Sequence, residues 1–216
     1  MNSFSNLRYE FKKPTMIHKV VLAIFIASLI SPFGRASNPA PKPPPWKDKA
    51  RTARYVLHIS EWGSLASIST QHSIPGFPYA NIFSTADGII GNCSSGTPYF
   101  YMTSMDVTAK DLEVFPGATF VVTEAQSEIC KNAALDPESP ACARVMLTGY
   151  VQKVVDPKEL LIAQDYLFTR HPKMETWPKG HHWYFGKLQI KHIQLLDWYG
   201  GISNVEVEDY YKVKLY

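Results

Sequence analysis

The sequence predicts a mainly β, α+β fold in which a six-stranded antiparallel barrel carries helices at its ends. Six segments have the apolar alternation or apolar runs of strands, with turn residues between them, and only two or three segments have a helical period. Most strands follow one another directly along the chain, which favours antiparallel pairing and a barrel. With 45% apolar residues in 216, the chain can bury a sizeable core, which excludes a wholly disordered or collagen-like protein.

The first 36 residues have the three parts of a secretory signal peptide. Basic residues up to Lys19 precede an uncharged run of 15 residues, 20–34, which is shorter than the roughly 20 residues that span a bilayer. Gly34 and Ala36 place small side chains at the −3 and −1 positions of a cut before Ser37. We expect cleavage, secretion and no stable membrane insertion; an uncleaved signal anchor is the alternative.

The net charge of +3 belongs to this same segment. Residues 1–36 hold five of the 22 basic and one of the 19 acidic residues, so residues 37–216 carry 17 basic and 18 acidic residues, a net charge of −1. A nearly neutral chain without a Lys/Arg cluster binds phosphate backbones poorly. We therefore expect no nucleic acid as a partner.

A proline-rich linker at 37–46 leads into the folded domain at 47–216. Five prolines within 39–45 favour a stiff polyproline II tether. The first helix is predicted at 47–59, because Ala53, Val56 and Leu57 share one helical face.

The remaining elements follow in order. Strands are predicted at 63–70, 79–85, 98–103, 118–123, 145–151 and 183–198, the last with a bend near 191–192. Turn residues at 74–78 join the first two strands into a hairpin, and 107–114 can form two helical turns. Asp156 and Pro157 begin a helix that ends near Phe168, in which Glu159 is placed to reach back to the free amide of the cap. A short helix at 207–211 closes the chain.

The three cysteines indicate an oxidising compartment. Cys130 and Cys142 bracket a polar loop, and a disulfide between them would stabilise the fold by about 3 kcal/mol. Cys93 is left over, with a free thiol or an intermolecular disulfide as its alternatives. It stands in Asn92-Cys93-Ser94, the chain's one N-x-S/T sequence, so Asn92 is the expected glycosylation site. We expect the surrounding Gly/Ser-rich stretch at 87–96 to be flexible.

No catalytic motif is present. The chain has no G-x-S-x-G, H-E-x-x-H, P-loop or dinucleotide fingerprint. His181 and His182 could suggest a metal, but neighbours in a strand point to opposite faces and no third ligand is suitably spaced, so no metal site is predicted. His58 is assigned to the structure. The scattered acidic residues form no acid/base pair, and no catalytic residue is assigned.

Several unusual strings, in this order, resemble the CREG family of secreted cellular repressor glycoproteins. They are ARYV at 53–56, SEWGSLA at 60–66, PYFY at 98–101, the span from Cys130 to Cys142, FTRHPKM at 168–174 and DWYGG at 197–201. The resemblance covers about 46–213. It implies the split β-barrel of flavin mononucleotide (FMN)-binding oxidoreductases, usually as a homodimer, in a protein that regulates growth and differentiation rather than acting as a flavoenzyme.

The resemblance also places a flavin-phosphate segment after the third strand, beginning here at Thr108. Ala109 offers no hydroxyl, and Asp111 brings a carboxylate whose repulsion of a phosphate would be on the order of 1 to 4 kcal/mol. Lys110 and Arg144 could compensate. We expect a degenerate site at these residues, with no FMN bound, and the insertion at 87–96 lies where a loop tends to fill the flavin cleft in the family.

The function predicted on this basis is that of a secreted or endolysosomal, non-enzymatic glycoprotein that acts through protein contacts. Its expected partners are a second copy of the chain and a cell-surface or lysosomal sorting receptor. The positions 154–157 and 188–191, where relatives tend to carry glycans, have no asparagine here, which argues against glycan-mediated receptor sorting. The alternatives are an FMN-binding oxidoreductase or redox sensor, and the transcriptional repressor of the family's name.

Overall fold

The computed structural model describes Pro39 and residues 41–216, so the predicted signal peptide lies outside the described residues. Seven strands form one antiparallel sheet, and a short eighth strand pairs with the seventh. The strands are β1 (Trp62–Ile68), β2 (Pro78–Ser84), β3 (Ala86–Ile89), β4 (Cys93–Thr103), β5 (Gly117–Thr123), β6 (Arg144–Lys153), β7 (Trp183–Leu196) and β8 (Ser203–Asn204). The helices are α1 (Lys49–Ile59), α2 (Val107–Val114), α3 (Glu128–Asn132), α4 (Pro157–Arg170) and α5 (Val207–Lys212).

The strand order closes the sheet into a split barrel. The order is β2-β1-β5-β6-β7-β4-β3, so β2 and β3 lie at opposite ends of the sheet. Only Thr85 separates these two strands in the chain, and the sheet must therefore curl until its ends meet. Where the two ends of the sheet meet, β2 lies against β4. These two strands do not pair with each other. The predicted antiparallel split barrel is confirmed.

All six predicted strands are present, and β3 and β8 are additional. The expectation that 87–96 is flexible was wrong, because this stretch forms the β3–β4 hairpin. The hairpin is ordered by the buried carboxylate of Asp87, which accepts hydrogen bonds from the Ser94 hydroxyl and the Gly96 N–H. The bend predicted near 191–192 is confirmed as a bulge at Lys191, since Thr148 pairs with His192 and Gly149 with Ile190.

Helix α4 begins as the sequence predicts, with one difference. The Asp156 carboxylate accepts hydrogen bonds from the N–H groups of Lys158 and Glu159, at 3.0 and 2.9 Å, and Pro157 occupies the first turn. The Glu159 side chain does not reach back to the cap. It accepts instead from the Tyr99 hydroxyl at 3.1 Å and the Lys187 ammonium at 2.7 Å, because β4 and β7 lie under this turn.

The core fills the barrel and continues under α4. Inside the barrel, Leu65, Phe100, Phe120, Leu147 and Ile193 have no exposed surface. A second cluster packs Ala163 and Leu167 of α4 against Tyr99 and Ala86. Among the described helices, none is long and apolar enough to cross a bilayer.

Candidate functional site

The split between β2 and β4 forms a cleft, called here the split cleft. Its volume is about 220 Å³, and its two walls are residues 82–84 of β2 and 101–103 of β4. The segment between α4 and β7 supplies Met174 and Trp177, β7 begins with Trp183, and Asp106 lies at the start of α2. The cleft thus joins the open end of the barrel to the helix that carries the predicted phosphate segment.

Aromatic rings form the third wall of the split cleft. Trp183 stacks on Tyr101 with ring centroids 4.9 Å apart, and Trp177 lies 4.9 Å from Trp183. Trp177 keeps 37% of its surface exposed, whereas the other two rings are half-buried. Burial raises the pKa of the Tyr101 hydroxyl, which therefore stays neutral at physiological pH.

The charge in the split cleft is negative. Asp106 is the one acidic residue among its lining residues, and the lining includes no Lys, Arg or His. One carboxylate oxygen of Asp106 accepts from the Thr108 and Ala109 N–H groups, at 2.7 and 3.3 Å. The other accepts from the Asn81 amide at 3.2 Å, so no cation balances this carboxylate inside the cleft.

The predicted phosphate residues Thr108 and Asp111 are turned into the protein. Thr108 is fully buried, and its hydroxyl accepts from the Asn81 amide at 3.2 Å. The Asp111 carboxylate is also fully buried and accepts from the Thr70 N–H and hydroxyl, at 2.7 and 2.6 Å. The sequence predicted that the Asp111 carboxylate would lie beside a bound phosphate. In the structure this carboxylate points instead to the β1–β2 connection.

The side chains of the two predicted basic residues, Lys110 and Arg144, lie apart from those of Thr108 and Asp111. Lys110 is exposed on α2. Arg144 pairs with Thr123 at the far end of β5, about 20 Å along the strand from the end nearest α2. Its guanidinium donates to the carbonyls of Pro137 and Glu138 in the neighbouring loop. The four residues therefore do not form one site.

The split cleft does not suit a flavin mononucleotide. The split cleft is smaller than the roughly 300 to 1,000 Å³ of typical cofactor sites. A phosphate dianion needs cationic or free N–H donors, whereas the cleft offers a carboxylate, and the first N–H groups of α2 already donate to it. No chemical step through a flavin follows from this arrangement.

A buried polar network lies on the other side of β4. The His58 Nδ1 and an Asp87 oxygen are 2.6 Å apart, and both side chains are fully buried. The His58 Nε2 lies 2.9 Å from the hydroxyl of Tyr216, which also accepts the Gly91 N–H. Burial would raise the pKa of Asp87, but the hydrogen bond and charge of His58 outweigh it and hold this pKa below its usual value.

The order hydroxyl, imidazole and carboxylate is that of a catalytic triad, but His58 and Asp87 are fully buried, so we assign the network a structural role. Arg54 extends it, with N–H donation to the Tyr210 carbonyl at 3.0 Å and to the Ser94 carbonyl at 2.7 Å. Gly96 adopts φ +78°, and a side-chain carbon there would lie 2.6 Å from the Arg54 guanidinium. The network fastens the β3–β4 hairpin to α1 and to the C-terminal segment.

The cysteine prediction is confirmed, since Cys130 and Cys142 form a disulfide. Cys93 is a half-buried free thiol that shares a hydrogen bond with Tyr166, and burial, followed by this bond, raises the Tyr166 pKa. Asn92 is exposed at the hairpin turn. Because the Ser94 hydroxyl is engaged by Asp87 and Arg54, an oligosaccharide at Asn92 would have to be attached before the hairpin folds.

Two features of the site were missed or misread from the sequence. Met174 and Trp177 line the split cleft although they are more than 70 residues from β4 in the chain. The sequence signal that could have identified them is the family string FTRHPKM, which ends at Met174, three residues before Trp177. His181 and His182 are not in a strand as assumed, because His182 adopts a left-handed turn at φ 52° before β7. Within the described residues, no three His, Cys, Asp or Glu side chains cluster as a metal site would require.

Comparison with known proteins gives one consistent result. The sequence model of the family described as "CREG, beta-barrel" matches residues 44–212. The chain is 43% identical to Protein CREG1 of Gallus gallus, over 90% of this chain and 99% of that protein. It is 46% identical to Protein CREG1 of Homo sapiens, over 80% of this chain and 78% of that protein.

Among solved structures, the heme binding protein from Mycobacterium smegmatis superposes with a TM-score of 0.59 at 19% identity. The superposition covers 78% of this chain and 60% of that one, so this chain spans less than two thirds of the neighbour. At this identity the similarity supports the barrel fold alone.

Proposed function

The chain belongs to the CREG family, and from this premise we propose that it is a secreted or endolysosomal glycoprotein that regulates cell growth and differentiation through protein contacts, without an enzymatic activity. One observation carries the non-enzymatic part of the proposal. The groups expected to bind a flavin phosphate are either engaged inside the protein or far apart, and the split cleft contains Asp106 without a cation.

The secretory part is supported by the N-terminal pattern and by the disulfide, which suits an oxidising compartment. Expression of the whole chain in animal cells should yield protein in the medium that begins at Ser37. An Asn92→Gln variant should lose the mass of one N-linked glycan. Purified, flavin-free protein added to dividing cells should change their proliferation, whereas reduced and alkylated protein should not.

A chain that lacks residues 1–36 is the control, and it should stay inside the cell without the glycan. Accumulation of the full chain in the nucleus would favour the transcriptional alternative and contradict the proposal. A proliferation response that requires added FMN would contradict its non-enzymatic part.

We also propose that the protein acts as a homodimer through the outer face of β1, β5 and β6. A groove of about 380 Å³ on this face is lined by Ile68, Phe115 and Tyr150, each between 40% and 51% exposed. Together these side chains expose on the order of 300 Å², a patch of the size that marks interaction sites. Apart from Pro78 and Lys191, the other lining side chains are small, which lets a second sheet approach closely.

If the dimer forms through this groove, a single charge placed in the groove should dissociate it. Phe115→Asp should convert the protein to a monomer at micromolar concentration in sedimentation equilibrium, because it buries an unpaired carboxylate in the interface. Leu161→Asp, on the exposed side of α4, is the matched control and should leave the dimer intact. A wild-type monomer at micromolar concentration would contradict the prediction.

A further inference from the structure

The free edge of β2 carries main-chain groups that no strand of the sheet uses. The Ser69 N–H donates to the Phe77 carbonyl at 2.8 Å, which identifies 69 and 77 as a hydrogen-bonded pair. Such pairs alternate along antiparallel strands, so the next ones are 67 with 79 and 65 with 81. The N–H and C=O groups of Ala80 and the C=O of Ile82 therefore point away from β1.

Nothing in the described sheet occupies the outer side of this edge. β2 is the terminal strand, and the facing strand β4 does not pair with it. The Ile82 N–H is the exception, because it donates to the Asn81 side chain at 2.8 Å. β2 contains no charged residue, although charges commonly protect edge strands from unwanted pairing. The edge is therefore open to one more strand.

The split cleft lies beside this open edge and has the chemistry to receive a cationic side chain. Trp177 is 37% exposed and offers an aromatic ring for cation–π contact, and the Asp106 carboxylate is not balanced by a cation within the cleft. The Asp106 oxygen that accepts from Asn81 has capacity for a further donor. An acidic side chain would be repelled by the same carboxylate.

We propose that the split cleft binds an extended segment of a partner protein that adds to β2 as a strand and places a lysine or arginine side chain between Trp177 and Asp106. Main-chain hydrogen bonds at Ala80 provide affinity in this mode, and the cleft provides specificity. The inference rests on the proposed function, in that it assigns a place to the protein contact. The proposed occupant is a basic peptide, not a flavin or a second copy of the chain.

The test uses the full mature protein and two labelled, end-capped seven-residue peptides, one alternating valine with lysine and one alternating valine with glutamate. Fluorescence anisotropy at low salt should show the lysine peptide binding at least about tenfold more tightly, a difference of about 1.4 kcal/mol. Ala80→Pro should weaken the lysine peptide at least about tenfold, because proline removes the outward N–H and leaves the β1 pairing intact.

His72→Pro is the matched control, since it places proline in the β1–β2 turn closed by the Ile74 N–H and the Gln71 carbonyl, outside the split cleft. Asp106→Asn keeps the helix cap but removes the charge, so it should abolish the preference for lysine over glutamate. This variant tests the proposal even if Ala80→Pro fails to fold.

Equal binding of the two peptides, unchanged binding by Ala80→Pro, or no binding up to millimolar peptide would overturn the inference. A shift of the dimer equilibrium by Ala80→Pro would identify a second copy as the occupant, which would also overturn it. These outcomes differ from failure of the proposed function, because that failure would be seen as FMN binding or an FMN-dependent cell response by the same protein.

Discussion

Asp87→Asn is expected to lower the free energy of unfolding by about 3 kcal/mol, because it removes the charge of a fully buried carboxylate that contacts His58 at 2.6 Å and leaves buried hydrogen-bond donors without a full acceptor. The carboxylate also accepts from the Ser94 hydroxyl and the Gly96 N–H. An asparagine can replace only part of this acceptor capacity. Urea unfolding at pH 7 measures the change.

The same network predicts a pH dependence. The pKa of Asp87 is lowered in the folded protein, so its stabilising contribution is fully present above the unfolded value of about 3.9 and is lost as the pH falls through the lower folded value. The Asp87 carboxylate should therefore contribute equally at pH 7 and pH 5 to the difference in unfolding free energy between wild type and Asp87→Asn. This contribution should shrink below about pH 4.

Asp165→Asn, on the exposed side of α4, is the control and should change stability by less than about 0.5 kcal/mol. A loss of less than 1 kcal/mol in Asp87→Asn, on the order of a single ordinary hydrogen bond, would show that the network does not hold the β3–β4 hairpin in place.

Phe100→Ala should have a comparable or larger effect, about 3 to 5 kcal/mol. Phe100 is fully buried on β4, with its ring centroid 4.9 Å from that of Phe120 on β5 and 6.0 Å from that of Phe83 on β2. Because β2 and β4 do not pair as strands, side-chain packing of this kind holds the two sides of the split together. The variant should destabilise the barrel and increase amide hydrogen exchange in β2.

Phe100→Leu is the matched comparison, since it keeps most of the apolar volume and should cost less than about 2 kcal/mol. Hydrogen exchange in β2 should then remain close to that of the wild type. If Phe100→Ala left exchange in β2 unchanged, the two edges would have to be held by another contact, and the description of the split would need revision.

The strands and long helices could be predicted because their signals are local. Alternation located β1 and β2, and the Asp156-Pro157 pair located the start of α4. The direct succession of strands predicted an antiparallel barrel, and the resemblance to a known family then identified it as a split barrel. The β3–β4 hairpin was missed because Asp87 and Gly88 are poor strand residues by propensity, and contacts to His58 on α1 order them.

The candidate site was less predictable, because it depends on where side chains point. The sequence indicated that Asp111 lies on a helical segment, but its side-chain contact with Thr70 depends on how α2 packs on the β1–β2 connection. Arg144 was a basic residue of the right type, but it begins β6 and pairs with the end of β5 that lies away from α2. The split cleft combines β2, β4 and Trp177, and only the folded barrel brings these together.

We propose that this split barrel binds no flavin and acts through protein contacts. Equilibrium dialysis of FMN against the protein purified from the medium tests it most directly, with bound flavin measured by visible absorbance after gel filtration. We predict colourless protein that retains no flavin at any concentration up to millimolar. Retention of one FMN per chain, with the visible spectrum of a protein-bound flavin, would contradict the account.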